Sequence, residues 1–294
     1  MPNPAAEDEY LGEYHVYERH RAGLPQLVPY FREAWRRRDF AIEMGRTTIR
    51  AGHSETVLGV LWNVLNPLLL AAVYYLLVAV IGGAKFTNRH DYFPHLLGGL
   101  FAFNLIAGCM HGGANSVTAA GKIIMNTAFP RMLLPLSAVY IAVRRFFPTL
   151  IVYYIAFIIT GMSYHWVGIK FSYANLLAIP MFFLIVVFAT GMSMLLATSQ
   201  VYFRDTSSFM PYILRIWLYV SPVLWYPNQA PQKLLRLEFL NPLFGLLGGW
   251  GDLLVRGEFI RLSMWLHAII WALIMLIAGS LVFMIRERDF AVRL

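Results

Sequence analysis

The groups in this sequence able to make or break a bond are few and scattered. Asp91, Glu238, Asp252 and Glu258 lie between apolar stretches and are not paired by spacing, and the apolar stretches themselves hold no Asp or Glu. A membrane-embedded glycosyltransferase would need carboxylates beside the bond it acts on, for acid–base or metal chemistry. A proton- or sodium-driven carrier would need an acid within a span. Gly121 and Lys122 form a Gly-Lys pair, but Ile follows it and the upstream Gly of a phosphate-binding loop is missing. The single cysteine, Cys109, sits in an apolar run, with neither a disulfide partner nor a thiolate metal set.

What the sequence offers instead is polar and aromatic side chains repeated along helical faces. Phe101, Asn104, Gly108, His111, Asn115 and Thr118 recur at intervals of three and four, and so do Thr190, Ser193, Ala197, Gln200 and Arg204. Both stripes are expected to turn away from lipid, as the wall of a polar pathway or as a packing seam, because small and polar residues also hold helices together. His111 taken alone reads as a hydrogen-bonded interhelical residue. Trp62, Tyr74, Tyr75, Phe101 and Phe103 offer flat faces for stacking a ring, or face lipid and the interfacial belts.

The elements that must position these residues are membrane helices. The chain is 59% hydrophobic and 14% charged, against about 25% charged for a soluble domain, too few charges to coat a globular surface. Val57 to Ala84 runs without one charged side chain and exceeds the ~20 residues that cross a bilayer. The expected fold is an all-α polytopic membrane protein with six transmembrane helices in a domain over 57–285, at about 57–84, 96–119, 138–161, 173–202, 209–226 and 262–285. The apolar run Phe146 to Thr160 is too short by itself, so the third span must begin near Ala138 and take in Arg144 and Arg145. Their stems then snorkel back to headgroups, or face a polar cavity. The fifth span is interrupted by Pro222. Between the fifth and sixth, residues 233–256 are short apolar pieces broken by Asn241, Pro242 and glycines, expected as re-entrant or interfacial helices on the outer side.

Residues 1–24 read as a polar tail without the pattern of a cleaved signal peptide. Residues 25–56 read as an amphipathic interface helix and its connection, with Phe31 and Trp35 towards the membrane and Arg36, Arg37 and Arg38 towards lipid headgroups; docking on a soluble partner is the alternative. Residues 286–294 form a second tail. Of the 24 lysines and arginines, all but Lys85, Arg89, Lys170, Lys233, Arg236, Arg256 and Arg261 fall on one side of these spans. That asymmetry puts both termini in the cytoplasm. It also explains the net charge of +8 by membrane orientation rather than by nucleic acid, which is not an expected partner.

Five landmarks in order carry a resemblance: VLGVLWNVLNPLLLAAVYYLL after the basic helix, NTAFPRMLLPLS after the second span, VYFRD after the fourth, SPVLWYP in the fifth and LNPLF in the outer segment. The chain resembles the membrane subunit of type-2 ABC exporters, in particular the branch that exports O-antigens, teichoic acids, capsules and galactan. The resemblance implies a permease of the bacterial plasma (inner) membrane that forms a homodimer and works with two copies of an ABC ATPase subunit. ATP and Mg would be bound by that partner, with no cofactor in this chain. It further implies a coupling helix at about Thr118 to Asn126, with Lys122, Met125 and Asn126 meeting the ATPase and Phe129, Pro130 and Arg131 following, where a plain basic loop is the alternative. The substrate implied is a lipid-linked polysaccharide, or otherwise a smaller lipid or drug, passing Trp62, Tyr74, Phe101, Asn104, Gly108, His111 and Asn115.

Overall fold

The longest described helices are apolar along their whole length, and their glycines rather than their large side chains decide how they meet. The computed structural model describes residues 24–51, 59–82, 91–163, 165, 172–227 and 238–293. Expectations for the tail at 1–23, for the loop holding Lys85 and Arg89, and for 228–237 lie outside the described residues. Helices are α1 (Leu27–Arg36), α2 (Arg38–Ala51), α3 (Trp62–Gly82), α4 (Tyr92–Ala119), α5 (Gly121–Asn126), α6 (Leu133–Ser163), α7 (Ala178–Tyr202), α8 (Thr206–Val220), α9 (Leu243–Gly251), α10 (Leu262–Arg286) and α11 (Phe290–Arg293). The described part of the chain is all-α. Four stretches, Tyr92–Ala119, Leu133–Ser163, Tyr173–Tyr202 and Leu262–Arg293, are long and apolar enough to cross a membrane. It is a multi-pass membrane protein.

At the centre, α7 packs on α4 along one side and on α10 along the other, while α6 lies against α4. Gly113 of α4 meets Ser193 of α7 backbone to backbone; a Cβ there would lie 2.7 Å from both the Ser193 Cα and its carbonyl oxygen. Gly191 of α7 and Gly279 of α10 make the equivalent approach on the other side. Large side chains fill the remaining space. Phe101, Tyr153, Phe157, Phe188 and Tyr226 are almost fully buried, which is how a bundle without a strong hydrophobic drive between helices reaches close packing.

Several boundaries differ from expectation, each for a local reason. The basic helix before the first span is two helices with a break at Arg37. The exposed Arg37 also has a partner within the chain: its guanidinium donates 2.7 Å to the Ala128 carbonyl oxygen, tying the break to the loop after α5. α4 starts at Tyr92 rather than 96, and α6 at Leu133 rather than 138, so α6 carries Arg144 and Arg145 well inside one continuous helix. α8 has 15 residues and stops at Val220, because Pro222 biases Ser221 out of the helical region; Ser221 is extended, with ψ of 152°. The rest of the expected fifth span, Ser221 to Tyr226, is a turn.

The segment after it turns back into the bundle. α9 is buried along its whole length and packs between α4, α7 and α10. Asn241 of LNPLF joins it to α8: its side chain accepts from Trp217 Nε1 at 2.9 Å and from the Leu243 amide at 3.1 Å, and donates to the Val220 carbonyl at 3.2 Å. A widened helical turn, Asp252–Arg256, follows and ends at Gly257 with φ of 58°, a left-handed backbone that glycine adopts without strain. Its loosened carbonyls at Leu253 and Leu254 are satisfied by Asn175 Nδ2, at 2.9 and 3.0 Å.

Candidate functional site

The α4 stripe opens onto a groove. Phe101, Asn104, Gly108, His111 and Asn115 line a cavity of about 550 Å³ together with Trp62 and Asn66 of α3, Met44 and Thr48 of α2, and Ala138, Arg145 and Thr149 of α6. Asn104, Gly108 and Asn115 are exposed to it and His111 is half-buried. A Cβ added at Gly108 would touch only Ala142, at an ordinary 3.4 Å, so this glycine leaves room rather than fitting a seam. Phe146, also in the lining, lies 6.1 Å from the Trp250 ring, which sets α9 behind one end of the groove. Tyr74 stands apart from it: its hydroxyl lies 3.4 Å from that of Tyr219, bridging α3 to α8. Of the seven pathway residues expected from sequence, the structure therefore brings six together.

The α7 stripe is closed over its middle and opens only at its basal end, where Gln200 and the exposed Arg204 border a smaller cavity of about 280 Å³ with Thr118 and Arg293. Ser193, Ala197 and Gln200 are buried. Ser193 Oγ donates to the Pro135 carbonyl at 3.3 Å, and Gln200 accepts from the Ser207 amide at 2.7 Å while donating 2.8 Å to the Arg204 carbonyl. Gln200 thereby closes the turn between α7 and α8.

The basal end, where both described termini meet, holds the short helix α5. Its Lys122, Met125 and Asn126 are exposed, while Ile124 is buried against an apolar cluster that includes Ala34, Ala41, Val117 and Phe290. The following loop is anchored inward. Phe129 packs on Phe40 of α2 with ring centroids 5.0 Å apart, and Pro130 is buried. The Arg131 amide donates 2.6 Å to Glu287 Oε1, its guanidinium donates to the Glu287 carbonyl, and Tyr30 of α1 donates to Glu287 Oε2. Burial raises the Glu287 carboxyl above the ordinary carboxylate range, opposed by the hydrogen bonds from Tyr30 and Arg131. Burial and the same carboxylate raise the Tyr30 phenol. Of the interface-helix residues, Phe31 and Trp35 are exposed, as is Arg36, and the Arg38 guanidinium lies 4.9 Å from the Trp35 ring centroid.

At the opposite, distal end the structure joins acids that sequence spacing left unpaired. Asp91 and Asp252 both approach the Arg256 guanidinium at 3.5 Å, and that cation lies 4.4 Å from the Tyr226 ring centroid. Both carboxylates are engaged by a cation, so the cluster holds the turn after α9 to the start of α4. Asp252 and Arg256 are a local pair four residues apart, but no local pattern could have joined Asp91 to them, since it is distant in sequence.

Residues 44–250 match the family described as ABC-2 type transporter. The chain belongs to this family. The ABC-2 match spans every described residue of the groove, α5 with its loop, and α9 up to Trp250; α1 and α10 lie outside it. Among relatives, an O-antigen export system permease protein RfbA of Klebsiella pneumoniae is 30% identical over 222 residues, 74% of this chain and 81% of the relative. Another of the same description and organism is 28% identical over 220 residues. One from Myxococcus xanthus is 24% identical over 269 residues, 90% of this chain and 99% of the relative. As an ABC-2 permease the protein is a transport subunit rather than an enzyme.

Proposed function

We propose that this protein is the transmembrane subunit of an ATP-driven exporter that moves a lipid-linked cell-surface polysaccharide from the cytoplasmic to the outer face of the bacterial plasma membrane. The observation that carries the reading is the groove: polar, glycine-spaced and with the exposed ring of Trp62 at its edge, it suits a glycan that binds by hydroxyl hydrogen bonds and by stacking, through many weak contacts that allow sliding. The O-antigen export permeases among its relatives support a polysaccharide as cargo.

In this reading α3, α4, α6, α7, α8 and α10 are six spans, the basal end is cytoplasmic, and α9 closes the outer end. Two copies form a homodimer, and each offers Lys122, Met125 and Asn126 to one copy of an ABC ATPase, which binds ATP and Mg. Phe129, Pro130 and Arg131 transmit the push, because they are the residues that fasten α5 to α1, α2 and α10. The exposed Phe31 and Trp35 lie in the inner leaflet.

Export in cells by the variant Gly108→Trp tests the route. The added ring enters the groove, so assembly with the ATPase is retained and polysaccharide no longer reaches the surface. Normal export removes the groove from the pathway. For sidedness, a cysteine at Asn126 resists a membrane-impermeant thiol reagent applied to intact cells, and the native Cys109 gives no background because it is fully buried. Labelling at Asn126 reverses the orientation.

A further inference from the structure

Arg145 is the groove's unexplained charge. It lies about 18 Å along α6 from Leu133 at ~1.5 Å per residue, and a guanidinium at such depth costs about 3 kcal/mol or more unless it is paired or hydrated. Arg145 is exposed to the groove, whereas the half-buried arginines are paired with carboxyl groups or carbonyls: Arg256 with Asp91 and Asp252, Arg131 with the Glu287 carbonyl. Arg145 has no carboxylate partner among the described residues, and none of the described residues lining its groove is acidic. The amides of Asn66 and Asn104, on α3 and α4, are exposed in the same groove and are not engaged by any described residue. Donors from three helices therefore line one cavity, with no acceptor of matching charge among the described residues.

We propose that the groove is an oxyanion-binding site in which Arg145, with Asn66 and Asn104, takes a phosphate group. A tetrahedral phosphate presents oxygens in several directions, which suits donors arriving from separate helices, and a guanidinium binds it through paired charge-assisted hydrogen bonds. The site deepens the reading of the groove as a substrate route and rests on it: it names a phosphate as what the moving molecule, or a phospholipid beside it, places there. Trp62, exposed at the mouth of the groove, remains free to hold the uncharged part of the same ligand.

The test uses the full chain in phosphatidylcholine nanodiscs, modified with phenylglyoxal and read residue by residue by mass spectrometry. Arg144, adjacent and exposed but outside the lining, is the internal control. Dodecyl phosphate slows modification of Arg145 about tenfold and leaves Arg144 unchanged, whereas dodecyl maltoside protects neither. Radiolabelled dodecyl phosphate binds the variant Arg145→Lys but not Arg145→Gln. Replacing part of the phosphatidylcholine by phosphatidylglycerol separates the sources. Protection by that lipid as well assigns the site to a bilayer headgroup; protection by dodecyl phosphate alone assigns it to a phosphate on the exported molecule. Protection of both arginines alike, or of neither, overturns the proposal. The two readings fail separately: normal export by Gly108→Trp removes the route, while absent protection with export still blocked in Gly108→Trp removes the phosphate and keeps the route.

Discussion

The polar stripes of α4 and α7 are nearly indistinguishable as sequence and opposite as structure. Each places small and polar residues every three or four positions, yet Asn104, Gly108 and Asn115 stand open in a groove while Ser193, Ala197 and Gln200 are closed inside helix contacts. The difference lies in the neighbours. α7 is held between α4 and α10, each near enough for glycine-backbone contact, whereas the α4 stripe faces α3 and α6 where they diverge. A stripe of this kind states that a helix avoids lipid; whether it then meets a helix or water depends on what packs opposite.

The sharpest way to break the comparison is to add one methyl group on each side of α4. Gly113→Ala puts a Cβ 2.7 Å from two backbone atoms of Ser193, so α4 and α7 must part, at a cost of about 3 kcal/mol or more. We expect loss of monodisperse protein in detergent and a large drop in melting temperature. Gly108→Ala, with only Ala142 at 3.4 Å, leaves the melting temperature unchanged. Equal effects of the two would erase the distinction between seam and groove.

A smaller effect is expected at Gln200. Alanine there removes the acceptor of the Ser207 amide and the donor to the Arg204 carbonyl, lowering stability by about 1 kcal/mol, visible as a shifted thermal transition. Export by the surviving protein keeps its normal rate per molecule, because this residue closes a turn. A Gln200→Ala protein of unchanged stability but slowed export would place the α7 stripe in the pathway after all.

The smallest stability change belongs to the open side. Asn104→Ala exposes no buried partner and alters stability by less than ~0.5 kcal/mol, while removing one of many weak contacts slows export about threefold. Quantifying surface polysaccharide against protein abundance checks both halves. Loss of stability without loss of rate would make Asn104 a structural residue.

Much was legible before any coordinates. Four apolar helices long enough to span and the stripe Phe101, Asn104, Gly108, His111 and Asn115 on α4 follow from apolar length and helical period, which are local properties. Less legible were the ends of helices. The break at Arg37 is fixed by a hydrogen bond to Ala128, and the Glu287 carboxylate draws together α1, the loop after α5 and α10; these partners lie far apart in the chain, and no window of sequence contains them both. Tyr74 shows the same limit from the other direction, since an aromatic beside the groove-lining turn of α3 proved to belong to the contact with α8.

The sequence by itself determined that the chain crosses a membrane as helices, which faces of those helices shun lipid, and that the acids are kept out of the spans. These follow from the energetics of each segment against lipid and water, and need no partner. Only the tertiary structure decided which polar face is a groove and which a seam, that Asp91 and Asp252 share Arg256, and that Arg145 stands in the groove with no carboxylate among the described residues. Those outcomes depend on distances between segments, and in a bundle such distances are set by where glycine lets two backbones touch.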